Sequence, residues 1–259
     1  MPVKLIKLTK KYKNQLIEMI DEWKRDQEEN NTDRSPYAIF KNSYEDFDYY
    51  LKNLASDKPV NGWVPNSVYF LYSESKDKLI GAVDIRHKLN RHLMKYGGHI
   101  GDGIRPSYRG LGFGKLILEL ALQECIKLGI NNVLICCNKN NIPSKRAILS
   151  VGGTLKNTVI DEDGEETERY WVNAPRELLL RNIDEVHVSE ETAKRLKKKV
   201  GLYECEILSE IEDAVTFHKS FTVVTLKNNK YYVRYRDVEY IIDANDYSVL
   251  NIRIKKLKK

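Results

Sequence analysis

A glycine-rich segment near the middle of the chain has the residue types and spacing of an anion-binding turn. It reads Arg109-Gly110-Leu111-Gly112-Phe113-Gly114-Lys115. Glycine at alternate positions lets backbone N–H groups approach a ligand without interference from a Cβ atom. A helix that begins here adds the N–H groups of its first turn, and Arg109 and Lys115 add positive charge. We therefore predict a site for a pyrophosphate group.

Two common glycine-rich phosphate motifs do not fit this segment. A Walker loop requires Gly-x-x-x-x-Gly-Lys followed by Ser or Thr, whereas Lys115 precedes Leu116 and Arg109 occupies the place of the first glycine. A dinucleotide fingerprint requires Gly-x-Gly-x-x-Gly, and Gly114 comes one residue too early for it. The pattern that fits is Arg-x-x-Gly-x-Gly after a strand that ends in Ile-x-Pro.

The elements around the turn are those that an anion site requires. The sequence predicts a strand over 99–105, ended by Pro106, and an amphipathic helix over 115–128. Gly129 stands where a C-terminal cap belongs. A buried strand over 132–138 and a short helix over 143–151, opened by Asn141, follow.

These motifs resemble those of the GNAT superfamily of acetyl-CoA-dependent N-acetyltransferases. Arg109, Gly112 and Gly114 match the fixed positions of its pyrophosphate motif, and the segments 141–144 and 151–153 resemble its second motif. Residues 81–90, 97–101 and 168–172 are similar to a bacterial subgroup of predicted acetyltransferases. The resemblance covers roughly residues 1–175.

The resemblance implies an α+β fold in which helices flank a mixed, mostly antiparallel sheet. We assign it to residues 1–178. Residues 179–259 follow a different pattern, with one helix between Ser189 and Gly201 and then a series of β-hairpins. We expect a separate, small β-rich domain of unknown role there.

The resemblance also implies acetyl-CoA as co-substrate. Its pantetheine arm is expected between the strands 99–105 and 133–137. The residues expected to hold it are Ile104, Arg109, Gly110, Leu111, Gly112, Phe113, Gly114, Lys115, Asn141 and Ser144.

Candidates for proton transfer follow from what amine acetylation requires. An attacking amine must lose a proton to a base, and the leaving thiolate must gain one. Asp102 and His87 are the candidate bases. Tyr170 is the candidate acid, because Ile148 stands where many members of the superfamily place a tyrosine.

Three other residues are expected near the cleft. His99 has the opposite strand parity to Asp102 and is expected to point away from it. Arg86 and Asn90 are candidate substrate-binding residues, and a structural role in closing the loop after 90 is the alternative for both.

Three hypotheses about function remain open at this stage. The leading one is direct transfer of an acetyl group to an amine of an unidentified small molecule, peptide or protein. The second is a non-catalytic CoA-binding scaffold whose C-terminal domain binds a protein or nucleic-acid partner. The third is nucleic-acid binding by the basic C-terminal domain, in which tyrosines interleave with basic residues and would stack on bases: Tyr231, Tyr232, Tyr235 and Tyr240, with Lys230, Arg234 and Arg236.

Composition excludes several classes of protein. The chain has 259 residues, with 43 Lys and Arg against 37 Asp and Glu, and a formal net charge of +6. No apolar run approaches the roughly 18 residues of a membrane helix. The four cysteines form neither a disulfide framework nor a metal-binding cluster, so no metal is expected. We expect a cytoplasmic protein with reduced thiols, and its oligomeric state stays open.

Overall fold

The computed structural model describes residues 2–32, 34–60, 62–161, 164–217 and 222–254. Within it the chain forms two compact units, Met1–Val172 and Asn173–Lys259. Two features of the sequence lie outside the described residues. They are the lysine-rich segment 255–259 and Asp163, which with Gly164 has the residue types of a hairpin turn.

The first unit is built on a seven-stranded sheet with the order β1-β2-β3-β4-β5-β7-β6. Its strands are β1 (Val3–Ile6), β2 (Asn66–Ser73), β3 (Lys78–Arg86), β4 (Ile100–Ile104), β5 (Asn132–Asn138), β6 (Thr154–Ile160) and β7 (Glu166–Asn173). Its helices are α1 (Lys13–Asn30), α2 (Phe47–Asn53), α3 (Phe113–Lys127) and α4 (Ile142–Ser150). The β4–β5 pair is parallel and the other described pairs are antiparallel. The predicted mixed, mostly antiparallel sheet is confirmed.

Helices cover both faces of the sheet, and β3 shows why. Seven consecutive residues of β3 are buried, which requires apolar cover on each side. One face packs against α1, whose buried positions include Leu16, Ile20 and Trp23. The other face packs against α3, where Ile117 is fully buried.

Strands β4 and β5 share only a short stretch of pairing among the described residues. Ile100 is in register with Ile135, and Gly98 forms a bridge to the same residue. No pair is described further along, toward Asp102 and Ile104. The two strands therefore part just before the glycine-rich turn, which leaves backbone groups of β4 available to another partner.

The second unit contains a four-stranded antiparallel sheet with the order β11-β10-β9-β8. It consists of β8 (Thr222–Lys227), β9 (Lys230–Tyr235), β10 (Val238–Asp243) and β11 (Val249–Ile254), with α5 (Ala174–Leu180), α6 (Glu190–Val200) and α7 (Glu204–Thr216). Helix α6 has the predicted caps, Ser189 and a left-handed Gly201. Helices α5 and α7 depart from the expectation of one helix followed by β-hairpins. The expected boundary after residue 178 lies inside α5.

Two of the basic residues of α6 protect an edge of this sheet. Arg195 donates to the carbonyl of Leu250, and Lys199 donates to the carbonyl of Ile252. Both carbonyls belong to the edge strand β11, where unpaired backbone groups would invite pairing with another chain. Part of the positive charge of the second unit therefore has a structural use.

Three of the four tyrosines predicted as stacking platforms lie in the core of the second unit. Tyr231 and Tyr240 are fully buried, and Tyr235 is nearly so. The Tyr240 hydroxyl donates to Glu210, and the Tyr231 ring stacks on Tyr247. The expectation that these three rings meet nucleobases is wrong, because strand alternation turns them toward α7 and the core.

Candidate functional site

The glycine-rich turn presents open backbone at the start of α3. Gly110 and Gly112 have φ of 77° and 84°, in the left-handed region that favours glycine. A Cβ atom on either residue would meet no atom within 4 Å. Gly112 is the N-cap of α3, so the unpaired N–H groups of the first helical turn lie directly beside this open space. The turn thus has the shape and polarity of the predicted anion site.

The neighbouring side chains leave that space clear. Leu111 is exposed, whereas Phe113 is buried and packs near the ring of Tyr108. At Gly114 a Cβ would lie 3.5 Å from the Cβ of Ala147, so the middle of α4 packs closely against the start of α3. The Lys115 ammonium lies 3.7 Å from Glu119, one turn further along α3.

Arg109 is tied to both α1 and the end of β4. Its Nη1 donates to Oδ2 of Asp26 over 2.6 Å, and its Nε donates to the carbonyl of Ile104 over 3.2 Å. Partial burial acts to raise the pKa of Asp26, but hydrogen bonds from Thr32 and Arg109 hold that pKa below its ordinary value. Arg109 is therefore fixed beside an ionised carboxylate at the mouth of the turn.

A second carboxylate of α1 fixes the segment before the turn. Glu22 accepts from Nε of Arg105 over 2.5 Å and from the backbone N–H of Ser107 over 2.7 Å. Burial acts to raise the pKa of Glu22, yet these bonds keep it below its ordinary value. Helix α1 thus positions the turn through two acidic residues, Glu22 and Asp26, that the sequence analysis did not single out.

Asn141 has a clear local role in α4. Its Oδ1 accepts from the backbone N–H of Ser144 over 3.1 Å, which makes Asn141 the N-cap of the helix. Ser144 in turn lies within hydrogen-bonding reach of the Cys137 thiol, an interaction that acts to lower the pKa of that thiol. The predicted cofactor residues of α4 therefore lie beside the end of β5.

Strand register divides the predicted site residues between two faces of the sheet. Ile104 pairs with Gly81 of β3, and a Cβ atom on Gly81 would lie 3.4 Å from the side chain of Ile117 in α3. A Cβ on Gly103 would instead lie 2.6 Å from the ring of Trp23 in α1. We call these the α3 face and the α1 face. Because side chains alternate along a strand, Asp102 shares the α3 face with Ile104.

Cys137 stands at the centre of the α3 face of the site. Burial raises the pKa of its thiol to about 11, and Glu168 and Asp102 act in the same direction. Cys136 points to the α1 face, and burial raises its pKa to about 12. Both thiols stay protonated near neutral pH, so neither has the thiolate character of a nucleophile.

Tyr170 lies next to Cys137 within a buried polar chain. The Tyr170 hydroxyl donates to Glu168, and Glu168 also forms an ion pair of 2.9 Å with Lys145 of α4. The hydrogen bond from Tyr170 lowers the pKa of Glu168, whereas burial and Glu168 raise the pKa of Tyr170. The sequence analysis missed Glu168 and Lys145 as site residues. Glu168 has the same strand parity as Tyr170, and this was the available signal.

Asp102 lies on β4 where the strand has parted from β5. It is in register with Val83 of β3, and its backbone carbonyl accepts from the hydroxyl of Ser35 over 2.8 Å. Its carboxylate is close enough to Cys137 to influence the pKa of that thiol. The α3 face thus brings together Asp102 and Tyr170, two of the three predicted catalytic residues, around Cys137.

The third candidate, His87, has its own partners at the end of β3. Its Nε2 lies 2.9 Å from the hydroxyl of Ser67 on β2, and its backbone N–H donates to the carbonyl of Pro65. Burial lowers the pKa of His87, so the ring is neutral near pH 7. Asn90, a predicted substrate residue, accepts from the N–H of Leu93 over 2.8 Å and opens the helical segment after it.

The α1 face of the site carries the other predicted substrate residue. Arg86 donates through Nε to Asp84 over 3.1 Å and through Nη1 to the carbonyl of Gly97 over 2.7 Å. Asp84 is buried and also accepts from the amide of Asn66 over 2.7 Å. The Arg86 guanidinium is thereby held against the sheet.

His99 joins β4 to β5 on this same face. Its backbone N–H donates to the carbonyl of Leu134 over 2.7 Å, and its Nδ1 accepts from the N–H of Leu134 over 3.0 Å. Burial, with a smaller contribution from Arg86, lowers the pKa of His99 to about 4. The ring is neutral with its proton on Nε2, and it lies edge-on to Trp171. It points away from Asp102, as strand parity predicts.

Comparison with protein families identifies the fold that carries this site. Residues 17–152, which include most of α1, both parted strands and the glycine-rich turn, match the model of the acetyltransferase (GNAT) family. The chain belongs to this family. The resemblance stated from the sequence motifs is confirmed, and the C-terminal sheet lies beyond the matched part of this GNAT protein. No curated protein sequence matches the chain.

Solved structures similar to this GNAT protein are also acetyltransferases. The microcin C7 self-immunity acetyltransferase MccE, in complex with acetyl-CoA and AMP, is 17% identical with a TM-score of 0.47, over 65% of this chain and 91% of its own. A spermidine N-acetyltransferase SpeG chimera from Vibrio cholerae and hSSAT is 15% identical with a TM-score of 0.47, over 69% and 99%. RimL, a ribosomal α-N-protein acetyltransferase in complex with coenzyme A, is 15% identical with a TM-score of 0.48, over 66% and 95%.

The described residues offer neither a membrane-spanning helix nor a metal-binding cluster. Among the described residues, no helix is both long and apolar enough to cross a membrane. The same residues contain no group of three or more His, Cys, Asp or Glu side chains that would hold a metal ion.

Proposed function

We propose that this GNAT protein is an N-acetyltransferase that moves the acetyl group of acetyl-CoA to an amine by direct transfer. The observation that carries the proposal is the open turn at Gly110 and Gly112, which stands at the N-terminus of α3 beside Arg109. A pyrophosphate requires a set of N–H donors with positive charge nearby. Because the chain belongs to the GNAT family, acetyl-CoA is the pyrophosphate-containing ligand that we assign to this turn.

The residues that would hold acetyl-CoA follow from the geometry of the turn. The backbone at 110–115 and the side chains of Arg109 and Lys115 would bind the pyrophosphate. Ile104 and its neighbours on β4 offer backbone groups where the strand has parted from β5. Ser144 and the capped N-terminus of α4 lie on the same face.

Acetyl-CoA supplies an activated thioester, and the chain's own residues would stabilise the developing charge and transfer the protons. In the balanced reaction the amine nitrogen forms a bond to the acetyl carbon, and the carbon–sulfur bond breaks. A proton leaves the nitrogen and a proton reaches the sulfur. We propose that an N–H between Asp102 and Ile104 donates to the carbonyl oxygen as negative charge develops there.

We propose Asp102 as the base, acting directly or through a water molecule, and Tyr170 as the acid. Their common position around Cys137 on the α3 face supports this assignment. The raised pKa of Tyr170 keeps its hydroxyl protonated near neutral pH, so a proton is there to be given. His87 is the weaker candidate for the base, because its ring is already engaged with Ser67 at the far end of β3.

Thiol release across a panel of amines tests the proposal. The purified protein is incubated with acetyl-CoA and each amine, and free CoA is measured against a blank without protein. Turnover with any amine, with the acetylated product seen by mass spectrometry, supports the enzyme. Binding of acetyl-CoA without turnover on a broad panel would instead favour the scaffold hypothesis, which the presence of Ile148 in place of a tyrosine first suggested.

A further inference from the structure

Two arginines lie on the α1 face of the site, on opposite flanks of β4 and β5. Arg86 comes from β3, and its Nη2 lies 2.7 Å from the point where a Cβ on Gly101 would be, so the guanidinium lies directly over β4. Arg169 comes from β7 and shares a strand face with Trp171, which contacts His99. Both arginines are close enough to Cys136 to influence the pKa of its thiol. The two guanidinium groups therefore converge on the same stretch of β5.

Arg169 has a buried donor without a partner. Its Nη1 donates to Asn157 over 3.1 Å, but its Nε is buried and makes no hydrogen bond within the described part of the chain. A buried, unpaired N–H of a charged group costs more than an ordinary lost hydrogen bond. Such a donor is the kind of group that a ligand satisfies.

The remaining charged groups on this face leave it rich in donors. Asp84 is already bound by Asn66 and by Arg86. His99 is neutral and carries its proton on Nε2, so on this face it is a donor. Lys41, which lies near Asp84, adds a further cation. An amine with several positive charges would meet repulsion here, whereas an anionic group would meet donors.

We propose that the acceptor is a small amine that also carries an acidic group, a carboxylate or a phosphate, and that Arg169 and Arg86 bind this group. The inference rests on the proposed acetyl transfer and names the substrate class for it. Guanidinium groups suit both anions because their planar N–H donors match carboxylate and phosphate oxygens. Fixing the acidic group would hold the amine of the same molecule over the parted strands.

Matched pairs of acceptors test the proposal on the wild-type protein. One set consists of L-leucine, L-leucinamide and 3-methylbutylamine, and a second of O-phosphoethanolamine and ethanolamine. Spermidine represents a polycation. We expect the acidic member of at least one set to exceed its neutral partners in kcat/KM by roughly ten-fold to a hundred-fold, as a charge-assisted hydrogen bond allows. The leucine set reports on a carboxylate and the ethanolamine set on a phosphate.

The Arg169→Gln variant links any preference to the site. We expect it to abolish the preference for the acidic acceptor while the KM for acetyl-CoA stays unchanged, and we expect Arg169→Lys to restore part of it. Arg236→Gln, which removes an equal charge from the turn between β9 and β10, is the matched control. Thermal unfolding of each variant verifies that it has folded.

The outcomes separate this inference from the proposed function. Equal or better turnover of neutral amines or spermidine would overturn the inference and leave acetyl transfer intact. Where no acceptor turns over, calorimetric titration of the acetyl-CoA-loaded protein with O-phosphoethanolamine and L-leucine decides. Binding that is lost in Arg169→Gln supports the inference, and absence of binding refutes it. Failure to bind acetyl-CoA itself refutes the proposed function.

Discussion

Nη1 of Arg109 lies 2.6 Å from Oδ2 of Asp26, so the arginine at the mouth of the glycine-rich turn is held by a carboxylate of α1. This ion pair leaves other N–H donors of the guanidinium for a ligand, because Arg109 has five of them in a planar fork. The ion pair also joins the first helix to the turn, two segments that are far apart in the sequence. A residue from the N-terminal part of the fold thus prepares the anion site.

Replacing Arg109 by glutamine should weaken acetyl-CoA binding by roughly ten-fold to a hundred-fold, the range of a charge-assisted hydrogen bond to phosphate. Isothermal titration calorimetry measures the change. Lys127→Gln is the control, because it removes one positive charge from the exposed C-terminal end of the same helix. Equal losses in the two variants would show that general charge, rather than this position, matters.

Gly112→Ala should damage both stability and binding. Its φ of 84° costs an alanine about 1–2 kcal/mol, and the added methyl group would occupy the open space beside the first turn of α3. Gly129→Ala is a close control, since Gly129 has a φ of 77° and equally open surroundings at the other end of that helix. Urea unfolding should show similar losses in both, whereas calorimetry should show weaker acetyl-CoA binding only for Gly112→Ala. Unchanged affinity there would argue against ligand binding at the turn.

Asp102→Asn should lower kcat by roughly 10²- to 10⁴-fold, as loss of a general base does, with little change in the KM for acetyl-CoA. Steady-state kinetics with a fixed acceptor measure both parameters. A kcat within about two-fold of the wild type would remove Asp102 from the mechanism.

Tyr170→Phe should lower kcat by roughly 10- to 100-fold at an unchanged KM for acetyl-CoA, because the variant lacks the hydroxyl that would protonate the leaving thiolate. The ion pair between Lys145 and Glu168 stays in place to neutralise the buried carboxylate. Tyr72→Phe on β2 is the control, since that hydroxyl is bound to Asp77 on the surface. Full activity of Tyr170→Phe would contradict this assignment and would mean that water or another group protonates the thiolate.

His99 should make folding stability depend on pH in a defined window. The pKa of His99 is about 4 in the folded chain and about 6.5 when the ring is exposed. Between these two values the unfolded chain therefore binds a proton that the folded chain does not bind. The stabilisation is complete above pH 6.5, declines between pH 6.5 and 4 by at most about 1.4 kcal/mol per pH unit, and is flat below pH 4. Urea unfolding of the wild type and of His99→Asn, which keeps an acceptor near the Nδ1 position, measures the difference. Parallel pH profiles would contradict the neutral, hydrogen-bonded ring.

Much of the first unit could be predicted from local patterns in the sequence. The glycine-rich turn, the amphipathic helix after it and the buried strand over 132–138 each have a strong short-range signal, and the structure confirms them. Strand parity also placed Asp102 and His99 on opposite faces correctly. These features depend on periodicity and turn chemistry, which a single segment contains.

The rest depends on contacts between distant segments. Nothing local indicates that Glu22 and Asp26 bind the segment before α3, because they look like ordinary polar positions of a surface helix. Glu168 and Lys145 meet only when β7 and α4 pack together. In the second unit, α7 was missed because its apolar residues Ile207, Ile211, Ala214 and Val215 were not recognised as a helical stripe.

The central claim is that the turn at 109–115 binds acetyl-CoA, and calorimetric titration of the wild-type protein with acetyl-CoA tests it most directly. We predict binding at a single site, together with its loss in Arg109→Glu, which places negative charge against the pyrophosphate. Absence of measurable binding by the wild-type protein at millimolar acetyl-CoA, or equal affinity in the variant, would contradict the account.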